Sequence, residues 1–411
     1  MESSAAIELA KHILMTFGLI LAIGTLSGFL AQKIKVPDVA VFLLVGILIG
    51  PGVTGLVNIK AESAVNQIIL IFGSCYILFD GGASLRLKIL KEVFITITVL
   101  STVGVLITAV ITAVAAYYVF SIPPIVALLL ASTIASTDPA TLVPVFKQVR
   151  IKDRVAQTVM SESAFNDAIG AILTFAVLGI AMGKEEFSMG AAFADLARQA
   201  ILGFLVGGAL GWLSALLIAH VKFGFLQEYA PVVTLMAVIG AYLGADKLAA
   251  SGFMAVFVFG IVMGNKDAFG FRMKDRDQEK MEDFVLTTAF VMRMFIFLLL
   301  GAQVDFDLMN RYLLGGVVVA VFMLVARPVT VFLCALPDRR AKWSLKEILF
   351  MCWTRETGVI PGALAGLLMG MGAPEARLIA SVTFIAILMT ILIQATTTKW
   401  LARKLGLLLE E

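Results

Sequence analysis

Residues 160–173 read MSESAFNDAIGAIL. Within them Glu162, Ser163, Asn166 and Asp167 place two carboxylates, a hydroxyl and an amide inside two helical turns. Positions four apart on a helix share a face, so Ser163 stands with Asp167 and Glu162 with Asn166, on faces about 100° apart. Oxygen donors grouped in this way suit a small hard cation. The stretch is nevertheless embedded in apolar sequence, where each carboxylate costs at least about 2.5–3.5 kcal/mol on insertion scales. A proton, a cation or a basic partner must offset that cost.

Two other stretches supply the complementary groups. In ASTIASTDPATLVP (131–144), Pro139 lacks a backbone donor, and Ser136 and Thr137 compete for local hydrogen bonds. The helix is expected to break there, exposing carbonyl oxygens beside the side-chain oxygens of Ser136, Thr137 and Asp138. Irregular backbone at membrane depth is tolerated only where it is buried in protein or lines a cavity, which the Ser163/Asp167 face would provide. A carboxylate in such a cavity can be neutralised by a proton or by a cation, and that mutual exclusion is the minimal chemistry of an exchanger. WTRETGVIPGALAG (353–366) is expected to be weakened in the same way at Gly358, Pro361 and Gly362.

Four arginines belong to no loop: Arg198, Arg293, Arg327 and Arg355. Arg198 lies near a helix start and reads as a snorkelling side chain. Arg293 either snorkels or faces the bundle. Arg327 and Arg355 are deeper, where cations face a cavity or an acidic partner. Arg327 is the first choice to pair with Glu162, and Arg355 the second. Asn166 is open between ion ligation and hydrogen bonding to the broken helix ends. Asp80, Asp246, Asp305 and Glu356 fall near predicted helix ends or breaks and read as solvated.

The elements that must position these groups are membrane helices. The chain has 411 residues, 60% hydrophobic and 15% charged, with a mean hydropathy of +0.99, whereas soluble chains are nearer about 45–50% apolar and about 25% charged. An all-α polytopic fold follows. Spans of roughly 20 apolar residues are predicted near 12–31, 37–56, 63–80, 92–120, 123–146, 154–182, 192–219, 229–246, 248–264, 283–302, 311–336, 345–370 and 375–400. With the N-terminus outside and the C-terminus inside, about 22 basic loop residues fall inside against about 6 outside, a strong positive-inside bias. The weakened fifth and twelfth spans take equivalent places if residues 1–182 and 229–411 are two repeats of six spans. The single linker span within 183–228 would make the repeats inverted, and paired interrupted helices point to a transport site at the midplane.

Several function classes are excluded. The net charge of +3 sits in short loops rather than on one face, so no nucleic-acid footprint exists. Cys75, Cys334 and Cys352 lack metal-site spacing and read as small buried hydrophobes, and His12 and His220 stand alone. Neither a phosphate-binding nor a dinucleotide-binding glycine loop is present. No cofactor is expected beyond the transported ions, and no nucleophile–base constellation suggests an enzyme. The acidic N-terminal MESSAAIELAK reads as an uncleaved start. Glycine motifs such as GALAG and GGALG read as close helix packing.

STDPATLVPVF followed by ESAFND, the arginine of VARPVTVF and the late R…GVIPGALA helix together resemble the NhaP-type sodium/proton antiporters, in the first branch of the monovalent cation/proton antiporter superfamily. The resemblance implies thirteen helices, an inverted repeat crossing at two unwound helices, and a homodimer in the cell (inner) membrane. It implies Asp167 as the principal ion- and proton-binding carboxylate, with Thr137, Asp138 and Ser163 around Na+ or Li+, Asn166 beside it, and Glu162 paired with Arg327. An Asn-Asp pair in place of two aspartates is similar to the family's electroneutral members, which exchange one cation for one proton. Two departures stand out. Ala168 replaces a proline common after the pair, so the sixth span should continue unbent. TRETG separates Arg355 from Gly358, leaving the roles of Arg355 and Glu356 open. Na+/H+ exchange by alternating access is the leading expectation. The rivals are K+/H+ exchange, an organic-anion symporter on related architecture, and a gated channel.

Overall fold

The computed structural model describes residues 2–34, 36–137, 151–183, 189–219 and 223–408. Among these residues the ordered elements are helices, with one isolated antiparallel bridge between Ile151 and Leu408. The first six spans comprise α1 (Glu2–Ile34), α2 (Asp38–Ile49), α3 (Ala64–Ala83), α4 (Leu87–Val99), α5 (Val105–Phe120), α6 (Pro124–Thr133) and α7 (Asp153–Ala181), with a π-helical turn, Leu100–Gly104, joining α4 to α5. Then come α8 (Met189–Ala219), α9 (Ala230–Lys247), α10 (Gly252–Gly264), α11 (Asp275–Ala302), α12 (Phe306–Ala335), α13 (Leu345–Trp353), α14 (Val359–Gly370) and α15 (Ala376–Thr390). A second π-helical turn, Ile391–Ala395, leads from α15 into α16 (Thr396–Lys404).

Nine apolar helices among the described residues are long enough to cross a membrane, and four shorter ones, α2, α6, α10 and α14, fill the remaining predicted intervals. The short ones fall at the second, fifth, ninth and twelfth spans, the same two places in each half.

Local chemistry sets the ends. The second span was expected to reach residue 56 but its helix stops at Ile49, because Gly50 turns extended (φ −73°, ψ 170°) ahead of Pro51, which disfavours helical backbone at the preceding residue. The tenth span starts at Asp275 rather than 283. Its first turn carries Asp275 and Asp277, which favour the positive end of a helix dipole, so helix extends past the apolar stretch. Ser251 caps α10 through Met254 N–H (3.1 Å), and Ser344 with Glu347 forms a capping box on α13.

Two packing regimes follow. The first, around α2, α3, α10 and α11, brings backbones together through glycine. A Cβ at Gly46 would overlap the Leu298 carbonyl, and one at Gly301 the Leu43 carbonyl, so α2 and α11 are mutually keyed. Gly82 against the Phe257 carbonyl and Gly260 against the Phe79 carbonyl key α3 to α10 in the same reciprocal way. Phe79 and Phe259 stack beside this contact with ring centroids 5.0 Å apart. The second regime, around α5, α6, α7, α12 and α15, is side-chain packing by residues such as Leu129, Leu130, Ile172, Val319, Met323 and Ile379.

The loop between α12 and α13 ties the second unit together at one end. Thr96 of α4 donates to Asp338 (2.6 Å), Trp343 donates to Thr96 (2.9 Å), and the Arg154 guanidinium lies 4.1 Å over the Trp343 ring while bonding to the Ala341 carbonyl. Burial works to raise the Asp338 carboxyl, but the Thr96 hydroxyl and the Ala341 and Arg340 N–H groups outweigh it and hold the group below the usual carboxylate range.

The glycine contacts are testable at neighbouring positions of α8. A Cβ at Gly207 would overlap the Ala255 carbonyl of α10, whereas Gly208 has open space. Gly207→Val should lower stability by about 1–3 kcal/mol or more through overpacking, and Gly208→Val should lie within about 0.5 kcal/mol of the parent. Thermal unfolding of detergent-solubilised protein reads the difference.

Candidate functional site at the crossing of two broken helices

α6 ends where its own side chains compete for its carbonyls: Ser132 and Thr133 both donate to Leu129 O, at 2.9 and 2.8 Å. From Ile134 to Thr137 the chain is non-helical and buried against α7. Gly170 makes the approach possible, since a Cβ there would lie 3.1 Å from the Ser136 Cβ. One turn along α7, Asn166 Oδ1 accepts the Thr137 N–H (3.0 Å) and Asn166 Nδ2 donates to Thr137 Oγ1 (2.8 Å). Thr137 Oγ1 and Ser163 Oγ share a hydrogen bond of 2.6 Å. Asp167, 2% exposed, follows Ser163 by one turn on the same buried face. The structure thus brings Thr137, Ser163 and Asn166 into contact, with Asp167 beside them. Asp138 lies outside the described residues. α7 runs unbroken from Asp153 to Ala181, with Ala168 inside it.

The twelfth span is interrupted between α13 and α14, where Thr354–Gly358 is non-helical. Pro361 falls in the first turn of α14, where its missing N–H would have had no intrahelical partner. The C-terminal carbonyls of α6 and α13 are orphaned by these breaks, and each set faces an arginine. Arg355 Nη2 donates to Ile134 O (3.2 Å) and Ala135 O (2.8 Å). Arg327 Nε donates to Met351 O (3.0 Å), and its Nη2 to Thr354 O (3.3 Å). Cations at helix C-termini also interact favourably with the dipoles.

Arg327 has a second task. Its Nη1 and Nη2 donate to Glu162 Oε1 and Oε2, both at 2.6 Å, in a bidentate pair. Asn166 Nδ2 donates to the same Oε1 (3.2 Å). Glu162 and Arg327 are therefore joined, and Asn166 links that pair to the α6 break. Arg355 does not hold Glu162; it closes α6 instead.

One residue is placed differently from the sequence expectation, and two further contacts were not foreseen. Glu356 was read as solvated, yet it is fully buried, because its break lies inside the protein rather than at a membrane surface; Thr398 Oγ1 donates to its Oε1 (3.4 Å). Arg198, read as a snorkelling side chain, pairs with Asp195 (2.6 Å), three residues earlier. Gln394, unnoticed in the sequence, donates to Trp353 O (2.6 Å) from the π-helical turn after α15. Its only sequence signal is an amide in an otherwise apolar span. Asp246 and Asp305 are exposed and Asp80 is partly buried. A separate cavity of about 340 Å³, lined by Lys60, Glu62, Gln303, Asp305 and Arg377 among others, contains none of the crossing residues. Its lining residue Gly366 accepts a hydrogen bond from Gln67 of α3 (3.2 Å).

Known proteins resemble this chain over most of its length. The family model described as "sodium/hydrogen exchanger, transmembrane" matches residues 18–404. The Na(+)/H(+) antiporter 1 of Methanocaldococcus jannaschii is 35% identical over 360 residues, covering 85% of this chain and 81% of that one. The K(+)/H(+) antiporter NhaP of Alkalimonas amylolytica is 27% identical over 410 residues, covering 97% and 68%. The solved structure of the sodium proton antiporter MjNhaP1 from Methanocaldococcus jannaschii at pH 8 superposes with a TM-score of 0.84 at 31% identity, covering 96% of this chain and 99% of that one. A multi-pass helical chain whose broken helices cross at a buried, oxygen-rich site belongs to the sodium/hydrogen exchanger family of secondary antiporters.

Proposed function

We propose that the chain exchanges Na+ (or Li+) for H+ in a one-to-one, electroneutral cycle, with Asp167 as the carboxylate that holds either ion. The observation that carries the reading is the junction of the α6 break with α7, where Thr137 and Ser163 hydroxyls meet at 2.6 Å one turn from buried Asp167. Small hard cations take oxygen ligands of this kind. Asp138, next to Thr137 in the chain, completes the donor set, and Asn166 adjoins it. Glu162 and Arg327 hold the frame and carry no ion. A proton or a cation can neutralise Asp167, but not both together, and that competition couples the two fluxes.

Alternating access would move the crossing relative to the glycine-keyed helices. The placing of short apolar helices at matching positions in both halves supports inverted repeats over 1–182 and 229–411, with a linker in 183–228. The distribution of basic residues supports an N-terminus outside and a C-terminus inside the cell (inner) membrane. A homodimer is part of the same proposal. The dense carboxylates disfavour an organic-anion substrate, whereas the K(+)/H(+) relative gives K+/H+ exchange a place as the second reading.

Reconstituted vesicles test the exchange. Added Na+ or Li+ should dissipate a preformed pH gradient, equally well with the membrane potential clamped, and K+ should act only weakly. Asp167→Asn should abolish the response while still inserting. A mutant with full exchange would remove Asp167 from the role, and a strong preference for K+ would favour the second reading.

The frame has its own test. Leaving one member of a buried ion pair alone costs about 3–5 kcal/mol, so Glu162→Gln and Arg327→Gln should each lower thermal stability by that order. The double variant should recover a large part of the loss, and strictly additive losses would show that the pair is not coupled. Orientation is read by an impermeant thiol reagent, which should reach K60C from outside and K342C only from inside.

A further inference from the structure

The exchange chemistry makes no use of the cations at the end of the molecule where α12, α13 and α16 meet. Arg339, Arg340, Lys342 and Lys346 are exposed between α12 and the first turn of α13, and Lys399, Arg403 and Lys404 on α16. α16 buries Thr398 and Ala402 and turns its three cations outward with Trp400, which is 60% exposed. The Lys404 ammonium lies 4.9 Å over the Trp400 ring. A fixed turn brings the two groups together. Gly406, at φ +66°, donates to Arg403 O (3.1 Å), Leu407 N–H donates to Ala402 O (3.0 Å), and Lys152 N–H donates to Leu407 O (3.2 Å). The Lys346 ammonium comes within 3.9 Å of where a Cβ on Gly406 would sit.

Among the described residues the ion pairs are Arg198–Asp195, Lys280–Asp277 and Arg327–Glu162, so none of these cations is paired with a described acid. The two acids of the same segments are buried and in use: Asp338 accepts from Thr96 and from the Arg340 and Ala341 N–H groups, and Glu347 from Ser344. On the neighbouring elements Glu92 comes with Lys88 and Lys91, and Asp153 with Lys152; outside the described residues Glu410 and Glu411 are equalled in number by Lys147 and Arg150. A surplus of positive charge therefore stands. The stretch leading into α11 is different. Arg272, Lys274, Arg276 and Lys280 are exposed there too, but Asp275, Asp277, Glu279, Glu282 and Asp283 are interspersed with them. A preference for basic loops on one side accounts for both clusters, but not for one being neutralised and the other left bare. Leu336 and Leu345, which flank the bare cluster in the chain, are exposed, as is Leu349 one turn along α13. Cations beside exposed aliphatic and indole surface suit a molecule with an anionic head and an apolar body.

We propose that this face docks anionic phospholipid, its phosphates on the cations of the α12–α13 loop and α16 and its acyl chains against Leu336, Leu345 and Leu349. Each Lys or Arg near an anionic leaflet contributes about fivefold in affinity, so several acting together distinguish an anionic lipid from a zwitterionic one. The elements under the lipid also carry Arg327 and lead into the second break, so a bound lipid ties the frame of the crossing to the bilayer surface. The inference needs the chain to span a bilayer and is independent of Asp167 and of which ions are exchanged.

The full chain in uncharged detergent tests the surface, with native mass spectrometry and thermal unfolding as readouts. The probes are phosphatidylglycerol, phosphatidylcholine, inorganic phosphate and polyglutamate. Phosphatidylglycerol should stay bound and raise the unfolding midpoint, and the other three should do neither. K346Q/K399Q/R403Q/K404Q should weaken phosphatidylglycerol binding by about fivefold per charge, about several-hundredfold in all. R272Q/K274Q/R276Q/K280Q removes as much charge and should bind within about twofold of the parent. If the first variant does not fold, the pairs K346Q/R403Q and K399Q/K404Q carry the same comparison against R272Q/K274Q. Added salt should weaken binding to the parent, because exposed charges are screened. Equal losses at the two clusters would show only the diffuse attraction of a basic side and would overturn the proposal. So would binding unmoved by salt, phosphatidylcholine held as well as phosphatidylglycerol, phosphate stabilising as well as lipid does, or polyglutamate taking the lipid's place.

Discussion

Every polar group at the crossing answers to one constraint: inside the hydrocarbon layer no water is available for an orphaned carbonyl or a bare charge. Breaking α6 and the α13–α14 span exposes carbonyl oxygens, which an ion site needs, but it also creates helix C-termini that require donors. Arginine supplies several donors and a positive charge in a fixed fork, and Arg355 and Arg327 each close one C-terminus. Two buried guanidiniums then demand buried carboxylates. Glu162 meets one of them in bidentate geometry. The acids that first drew attention in the sequence are in part consequences of the helix breaks.

The same constraint explains why the rest of the molecule is so different in character. The α2–α11 and α3–α10 contacts pack backbone on backbone through Gly46, Gly301, Gly82 and Gly260. Lipid tails give apolar helices little reason to associate, so close backbone approach and dispersion do that work. Irregular backbone at the crossing is tolerable because it rests against continuous helices, α7 above all, whose geometry the breaks do not disturb. The polar unit is braced again at its end, where Asp338, Thr96, Trp343 and Arg154 interlock.

Much of this was legible in the sequence, for physical reasons that differ by residue. Apolar length located the spans, and Pro361 with Gly358 located the second break, because both act locally. The Glu162–Arg327 contact was legible because a buried acid and a buried base, each expensive alone, have few other partners. Arg355 was not legible in the same way. Its partners are backbone carbonyls of Ile134 and Ala135, which have no side-chain signature and become acceptors only once α6 ends. Glu356 was misread because a break in a helix looks alike in sequence whether it lies at the protein surface or is buried inside the bundle. Helix ends such as Ile49 and Asp275 departed from expectation where turn chemistry or a charged first turn overrode apolar length. Asp138, central to the sequence argument, lies outside the described residues.

Asn166 shows how closely the candidate ion site and its frame are joined. The Thr137 N–H can only donate, so the amide oxygen must face it, and the Nδ2 group is then left to donate to Thr137 Oγ1 and Glu162 Oε1. Both ends of the amide are in use. An ionised aspartate at this position could accept from the Thr137 N–H, but it could offer no donor to Glu162 and would set a second negative charge against that carboxylate. The Arg327 pair would then be contested by two acids, and the link between the α6 break and α12 would weaken. Asn166 is therefore more than a missing acid. A second titrating carboxylate here would require Glu162 and Arg327 to be rearranged first, because the same hydrogen bonds hold the broken helices in place.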